Sequence, residues 1–116
     1  ALGTRAATRR YTFGYRVRIT NTTSSTVQLI ARHWVIENAS GPESEVRGSG
    51  VVGRQPVLEP GESFEYTSAC PLTCKMNPGM HVVGNMRGEY TLVRGETGME
   101  QFTVQVGRFY FVLPEN

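Results

Sequence analysis

Tyr11, Phe13, Tyr15, Val17 and Ile19 alternate with Thr12, Gly14, Arg16 and Arg18. A period of two built from aromatic and β-branched residues predicts a half-buried strand. Asn21-Thr-Thr-Ser-Ser25 follows, and such side chains hydrogen-bond their own backbone, so a turn and a hairpin are expected. The returning strand should run from about Thr26 to Ile36. Its apolar phase passes through Val27, Leu29 and Ala31, then shifts to Trp34 and Ile36. A shift of this kind predicts a β-bulge near Arg32 or His33.

Asn38-Ala-Ser-Gly-Pro42 has turn chemistry, and the stretch from Glu45 to Leu58 is Gly-rich with little periodicity. Glu59-Pro-Gly-Glu62 predicts a tight turn, with Pro60 pre-setting φ and Gly61 free to take a positive φ. Ser63 to Ser68 reads as a strand with Phe64 and Tyr66 on one face, and Cys70 to Pro78 as a loop. Further strands are expected at Met86–Val93, Gln101–Val106 and Arg108–Leu113. Thirteen Gly and six Pro interrupt every candidate long helix. Short strands with frequent turn signals predict an all-β sandwich. One domain is expected over 11–113, between a basic tail at 1–10 and a short tail at 114–116.

Composition narrows the function classes. Hydrophobic residues at 39% and charged residues at 19% suit a folded chain with one core. The apolar runs are too short to span a bilayer. A net charge of +2 is weak for a general nucleic-acid binder. Arg5, Arg9 and Arg10 sit in an opening stretch without acids. It reads as a solvated terminus, with a mitochondrial transit remnant as the alternative. The first residue is Ala rather than Met, which reads as a processed or excised fragment. Two cysteines make no secreted disulfide scaffold, so an intracellular protein, cytoplasmic or mitochondrial, is expected.

Gly48-Ser-Gly-Val-Val-Gly53 matches G-x-G-x-x-G. A dinucleotide fingerprint must open a helix, but Val51, Val52 and Pro56 leave no room for one. Two readings remain. The glycines permit close backbone approach between strands, or their amides form an anion nest with Arg47, Gly48, Gly50, Gly53 and Arg54, joined by His33. His33 beside Trp34 more often ties down backbone at a bulge than serves as a base. Cys70-Pro-Leu-Thr-Cys74 would need both His33 and His81 to complete a zinc site, and two free thiols are the simpler reading. No acid pair suggests catalysis or calcium, so no enzyme, metal or cofactor is expected.

Together these residues resemble the ApaG family. The resemblance rests on Tyr15-Arg-Val-Arg-Ile-Thr-Asn21, Val27-Gln-Leu29, Arg32-His-Trp34 and Val46-Arg-Gly-Ser-Gly-Val-Val-Gly-Arg-Gln-Pro-Val-Leu58. It continues through Glu59-Pro-Gly-Glu-Ser-Phe-Glu-Tyr-Thr-Ser68 and Met86-Arg-Gly-Glu-Tyr90, and covers about 11–113. It implies an immunoglobulin/fibronectin-III-like β-sandwich of about seven antiparallel strands. Members occur as small bacterial proteins linked to cobalt and magnesium tolerance and to diadenosine tetraphosphate levels. Others are modules of eukaryotic proteins, including ubiquitin-ligase F-box subunits, where the domain serves protein–protein interaction. Ser49 between the first two motif glycines, and a long stretch from Cys70 to Asn85, depart from the family pattern. With the basic start, they suggest a eukaryotic or organellar member.

The leading functional expectation is a non-enzymatic protein-interaction module. Its divergent contact is placed on Met76, Met80 and His81, because Met surfaces adapt to varied shapes. The alternatives are a phosphate-containing ligand at the glycine loop, or RNA. RNA binding would need Arg16, Arg18, Arg32 and Arg108 to share a face with an exposed aromatic. Oligomeric state is not legible in the sequence.

Overall fold

The computed structural model describes residues 7–76, 81–95 and 100–113, and every regular element among them is a β-strand. In chain order these are β1 (Ala7–Thr20), β2 (Val27–Asn38), β3 (Gly41–Ser49) and β4 (Val57–Leu58). β5 (Ser63–Met76), β6 (Val82–Arg94) and β7 (Glu100–Val112) complete the set. β1 pairs with β5 as a two-stranded sheet. The second sheet has the order β3-β2-β6-β7, and β4 takes up the edge of β2 beyond β3. All pairings are antiparallel.

The alternation of β1 does what its period requires. Thr12, Gly14, Arg16 and Arg18 are exposed, while Tyr11, Phe13, Tyr15, Val17 and Ile19 pack against the core. At the centre lies Trp34, 2% exposed, with Tyr15, Tyr90 and Phe109 edge-on at 6.0, 5.6 and 6.2 Å. Such T-shaped contacts set the electropositive ring edge against a neighbouring π face. The indole lies close against β6. Opposite Trp34 stands Gly88, where a Cβ would sit 2.2 Å from the His33 carbonyl oxygen and 2.6 Å from the indole. Two residues on, the buried Tyr90 hydroxyl pairs with that of Tyr66 across the sheets. The stretch Met86-Arg-Gly-Glu-Tyr90 therefore carries a core residue, a close approach and a buried hydroxyl.

Several sequence expectations change. β1 and β2 form no hairpin, because β1 pairs with β5 and residues 21–26 cross between the sheets. Asn21, 4% exposed, anchors the crossing. Its Nδ2 donates to the carbonyls of Ser25 at 2.8 Å and Leu58 at 3.0 Å, and its Oδ1 accepts from Thr23. The bulge in β2 falls at Ile30, between Leu29 and Ala31, rather than at Arg32 or His33. The expected loop from Cys70 is strand as far as Met76, with Cys70, Leu72 and Cys74 buried on one face. Pro71 is tolerated because β5 is an edge strand. The expected strands 101–106 and 108–113 are one strand, β7, bulged between Val106 and Phe109. Ala7–Arg10, assigned to the tail, already belong to β1. Among the described residues no helix is long and apolar enough to cross a membrane.

Candidate functional site

The G-x-G-x-x-G stretch closes a hairpin. Val51 and Arg54 each donate an amide to the other's carbonyl at 2.8 Å, leaving Val52 and Gly53 as a two-residue loop. Val52 has φ 44° and Gly53 φ 77°. Positive φ at both positions defines the type I′ turn that matches strand twist, and Asn-Gly is its preferred pair. Gly53 fits that rule. Val52 does not, since a β-branched residue in the left-handed region is a steric outlier. Its side chain is nevertheless 53% exposed, so core burial does not compensate for the strain.

The strain is held from β2. The bulge leaves the Ile30 carbonyl out of the ladder, where it accepts from the Gly50 amide at 2.6 Å and from Gln55 Nε2 at 3.0 Å. The same phase shift puts Arg32 on the face of Trp34. Its Nη1 donates to the carbonyls of Ser49 at 3.1 Å and Gly50 at 2.9 Å. Gly48 admits this guanidinium, because a Cβ there would meet Arg32 Nη1 at 3.0 Å. At Gly50 (φ 62°) a Cβ would lie 2.3 Å from the Arg54 carbonyl oxygen. Gln28 Nε2 donates to the Gln55 carbonyl at 3.1 Å, and the Leu29 amide to Pro56 at 3.0 Å. The loop is thus fixed by side chains and backbone of one neighbouring strand.

The residues expected to gather an anion are only partly brought together. His33 faces Arg47 across β2 and β3, but Glu45 lies between them. Glu45 Oε1 is 2.5 Å from His33 Nε2 and 3.0 Å from Arg47 Nη2. The hydrogen bond with His33, then that with Arg47, holds the Glu45 carboxyl below its ordinary value. The amides of Gly50, Val51 and Arg54 already donate to carbonyls. Arg54 itself is exposed and has no side-chain partner among the described residues. Of the expected partner-binding residues, Met80 lies outside the described residues, Met76 ends β5, and His81 is exposed with its carbonyl accepting from Leu113.

The four arginines named for RNA are divided. Arg16 and Arg18 lie on the outer face of β1, and Arg32 turns inward beneath the hairpin. Arg108 of β7 reaches Glu37 of β2, within the larger sheet, at 3.5 Å. Cys70 and Cys74 are free and buried, with thiol pKa values raised by burial. Four residues apart on one strand face, their Cα atoms stand about 13 Å apart, too far for a disulfide. No group of three or more His, Cys, Asp or Glu side chains converges among the described residues. Arg32 as a clamp and Val52 as a strained tip escape sequence reasoning. Pairing Val51 with Arg54 makes Val52 anomalous, and that pairing is tertiary information.

Two antiparallel sheets around a shared core make this an immunoglobulin- or fibronectin-III-like sandwich. The chain belongs to the ApaG family, whose domain model (ApaG domain, DUF525) matches residues 3–94. Protein ApaG of Bdellovibrio bacteriovorus is 51% identical over 102 residues, covering 88% of this chain and 73% of that protein. Protein ApaG of Brucella abortus is 49% identical over 106 residues, covering 91% and 75%. The crystal structure of the ApaA protein from Bordetella pertussis is similar at a TM-score of 0.77 and 47% identity, covering 92% of this chain and 80% of that one. These relatives are bacterial and give no support to the expected eukaryotic or organellar origin. That expectation leaned on Ser49, the basic start and the long stretch from Cys70 to Asn85, of which Cys70 to Met76 belong to strand β5.

Proposed function

We propose that this domain is a non-catalytic binding module that engages a protein partner through the clamped hairpin of residues 48–55. One observation carries the reading: Val52 is an exposed β-branched residue kept in the left-handed region by a surrounding hydrogen-bond network. Strain of this kind costs on the order of 1–3 kcal/mol and persists where function rewards it. A rigid apolar tip loses little conformational entropy on docking, which favours affinity. Val57, two residues beyond the hairpin, is also exposed, at 56%. An intracellular setting agrees with two buried thiols left unpaired. A phosphate-containing ligand has less to draw on, because Glu45 already occupies His33 and Arg47.

The test is affinity capture with the wild-type domain and Val52→Asn. Asn suits the left-handed region, so the variant should fold with at least wild-type stability. Capture of the specific partner should fall about tenfold, equivalent to about 1.4 kcal/mol. Equal capture by a folded Val52→Asn domain sinks the reading, as does recovery that disappears on nuclease treatment.

A further inference from the structure

The outer faces of the two sheets treat their arginines differently. On the larger sheet Arg47, Arg87 and Arg108 each lie within 3.5 Å of a glutamate carboxylate. On the smaller sheet Arg10, Arg16 and Arg18 point outward from β1, and Glu65 of β5 is the only acid in either strand. Glu65 stands opposite Arg18 in the register but turns to Arg16 Nε at 3.3 Å. Arg10 and Arg18 are left without an ion pair among the described residues. These four side chains carry +2, as much as the formal net charge of the whole chain. Between Arg10 and Arg16 the face is bare. Gly14 pairs with the exposed Ala69, and a Cβ at Gly14 would meet only the Ser68 carbonyl oxygen, at 4.0 Å. Its φ lies outside the left-handed region. Neither packing nor backbone calls for a glycine there, and a glycine in mid-strand costs stability. A depression of about 390 Å³ opens over it, bordered by Arg16 and Thr67.

We propose that this outer face docks an extended acidic segment of a partner protein, with carboxylates at alternate positions. Arg16 and Arg18 are two residues apart on a strand, about 7 Å, which is also the spacing of alternate side chains on an extended peptide. A segment lying along β1 sets its carboxylates against successive guanidiniums, whose paired N–H donors match a carboxylate. The bare backbone at Gly14 lets the segment approach closely, and Thr12 and Thr67 are exposed beside it. The Arg16–Glu65 pair is itself exposed, so exchanging Glu65 for an incoming carboxylate costs little. Other polyanions fit less well. Tyr11, Phe13 and Tyr15 of β1 and Phe64 and Tyr66 of β5 all pack in or against the core, which leaves no ring on this face to stack a single-stranded base. Three arginines fall short of the roughly six to ten phosphate contacts of a duplex binder. Neither strand has an exposed large hydrophobic side chain, among the described residues, to anchor in a lipid surface. The face shares no residue with the hairpin of 48–55, so either surface can hold without the other.

The probe is a synthetic peptide of alternating glutamate and threonine, as long as β1, with a glutamine–threonine peptide as control. Added to the domain, the acidic peptide should shift the amide NMR signals of residues 12–18 and 67–69 and not those of β3. Its affinity should fall as salt rises. Arg16→Gln combined with Arg18→Gln should weaken binding about tenfold, whereas Arg108→Gln, a loss of charge on the other face, leaves it unchanged. Gly14→Val is the decisive variant. Its unfolding midpoint should stay or rise, since the position is open and valine favours strands, while binding falls about tenfold. No binding of the acidic peptide, equal binding of the control peptide, or signals shifted on the larger sheet instead overturns the proposal. So does a Gly14→Val domain that unfolds earlier than wild type or binds the peptide as well. Tighter binding of a DNA duplex or of phosphatidylserine vesicles at these same residues assigns the face to those polyanions and overturns it likewise.

Discussion

Glu59-Pro-Gly-Glu62 and Val51-Val-Gly-Arg54 are both tight reversals, and both are tied to distant strands. In the first, Gly61 takes φ 85° behind Pro60, and the Glu62 amide closes onto the Glu59 carbonyl at 2.9 Å. Its local sequence already prefers the bend, and Asn21 pins it through the Gly61 amide and the Glu62 carbonyl at 2.8 and 2.9 Å. In the second, Gly53 agrees with the bend and Val52 opposes it. Arg32, Gln55 and the bulge at Ile30 impose what the sequence resists. Where every level agrees, a turn reads as scaffold. Where a local preference is overridden by dedicated contacts, the turn reads as a site.

Breaking the imposed turn should cost most. Gly50→Ala places a Cβ against the Arg54 carbonyl at positive φ, and the combined strain and overlap predict a loss of about 3 kcal/mol in urea unfolding. Asn21→Ala strips the agreeable turn of its anchor and leaves the Leu58 carbonyl without its side-chain donor. A loss of about 2 kcal/mol is expected, read as a lower thermal midpoint. Arg32→Met removes two charge-assisted bonds from the hairpin and should cost about 1–2 kcal/mol. Hydrogen exchange should show it, with the Gly50 amide accelerated more than the Glu62 amide.

The smallest effects separate the two turns most cleanly. Gly61→Ala meets nothing within 4 Å, so only the φ penalty remains, and about 1 kcal/mol is lost. Val52→Asn should run the other way and add about 1 kcal/mol, since it replaces a disfavoured residue by a preferred one. A destabilised Val52→Asn would show that Val52 is held by packing rather than strained for exposure.

Much of the fold was legible because the period of two is a local signal. It marked β1 and the Phe64–Tyr66 face of β5, and turn chemistry placed Pro60 and Gly61. Pairing was less legible. Asn21–Ser25 looks like a hairpin turn because its residues favour reversal, yet a crossing between sheets uses the same chemistry. The alternation Cys70, Leu72, Cys74 was present but masked by Pro71, which is harmless only on an edge strand. The shifted phase of β2 announced a bulge. Its place at Ile30 follows from the register with β6.

For the candidate site, the sequence carried the glycines, Arg47, Arg54 and His33, and argued against a helix after Gly53. What those groups do depends on neighbours brought from elsewhere in the chain. Glu45 joins His33 to Arg47, Ile30 receives Gly50 and Gln55, and Arg32 lies against Gly48. The amino-acid order by itself determined an all-β chain, most of its strands, and the family to which it belongs. These rest on short-range periodicity, turn preference and motif. Tertiary structure alone decided which strands pair, that Val52 is strained and exposed, and that β1 joins β5 rather than β2. Those depend on contacts between residues far apart in sequence, where local preference carries no information.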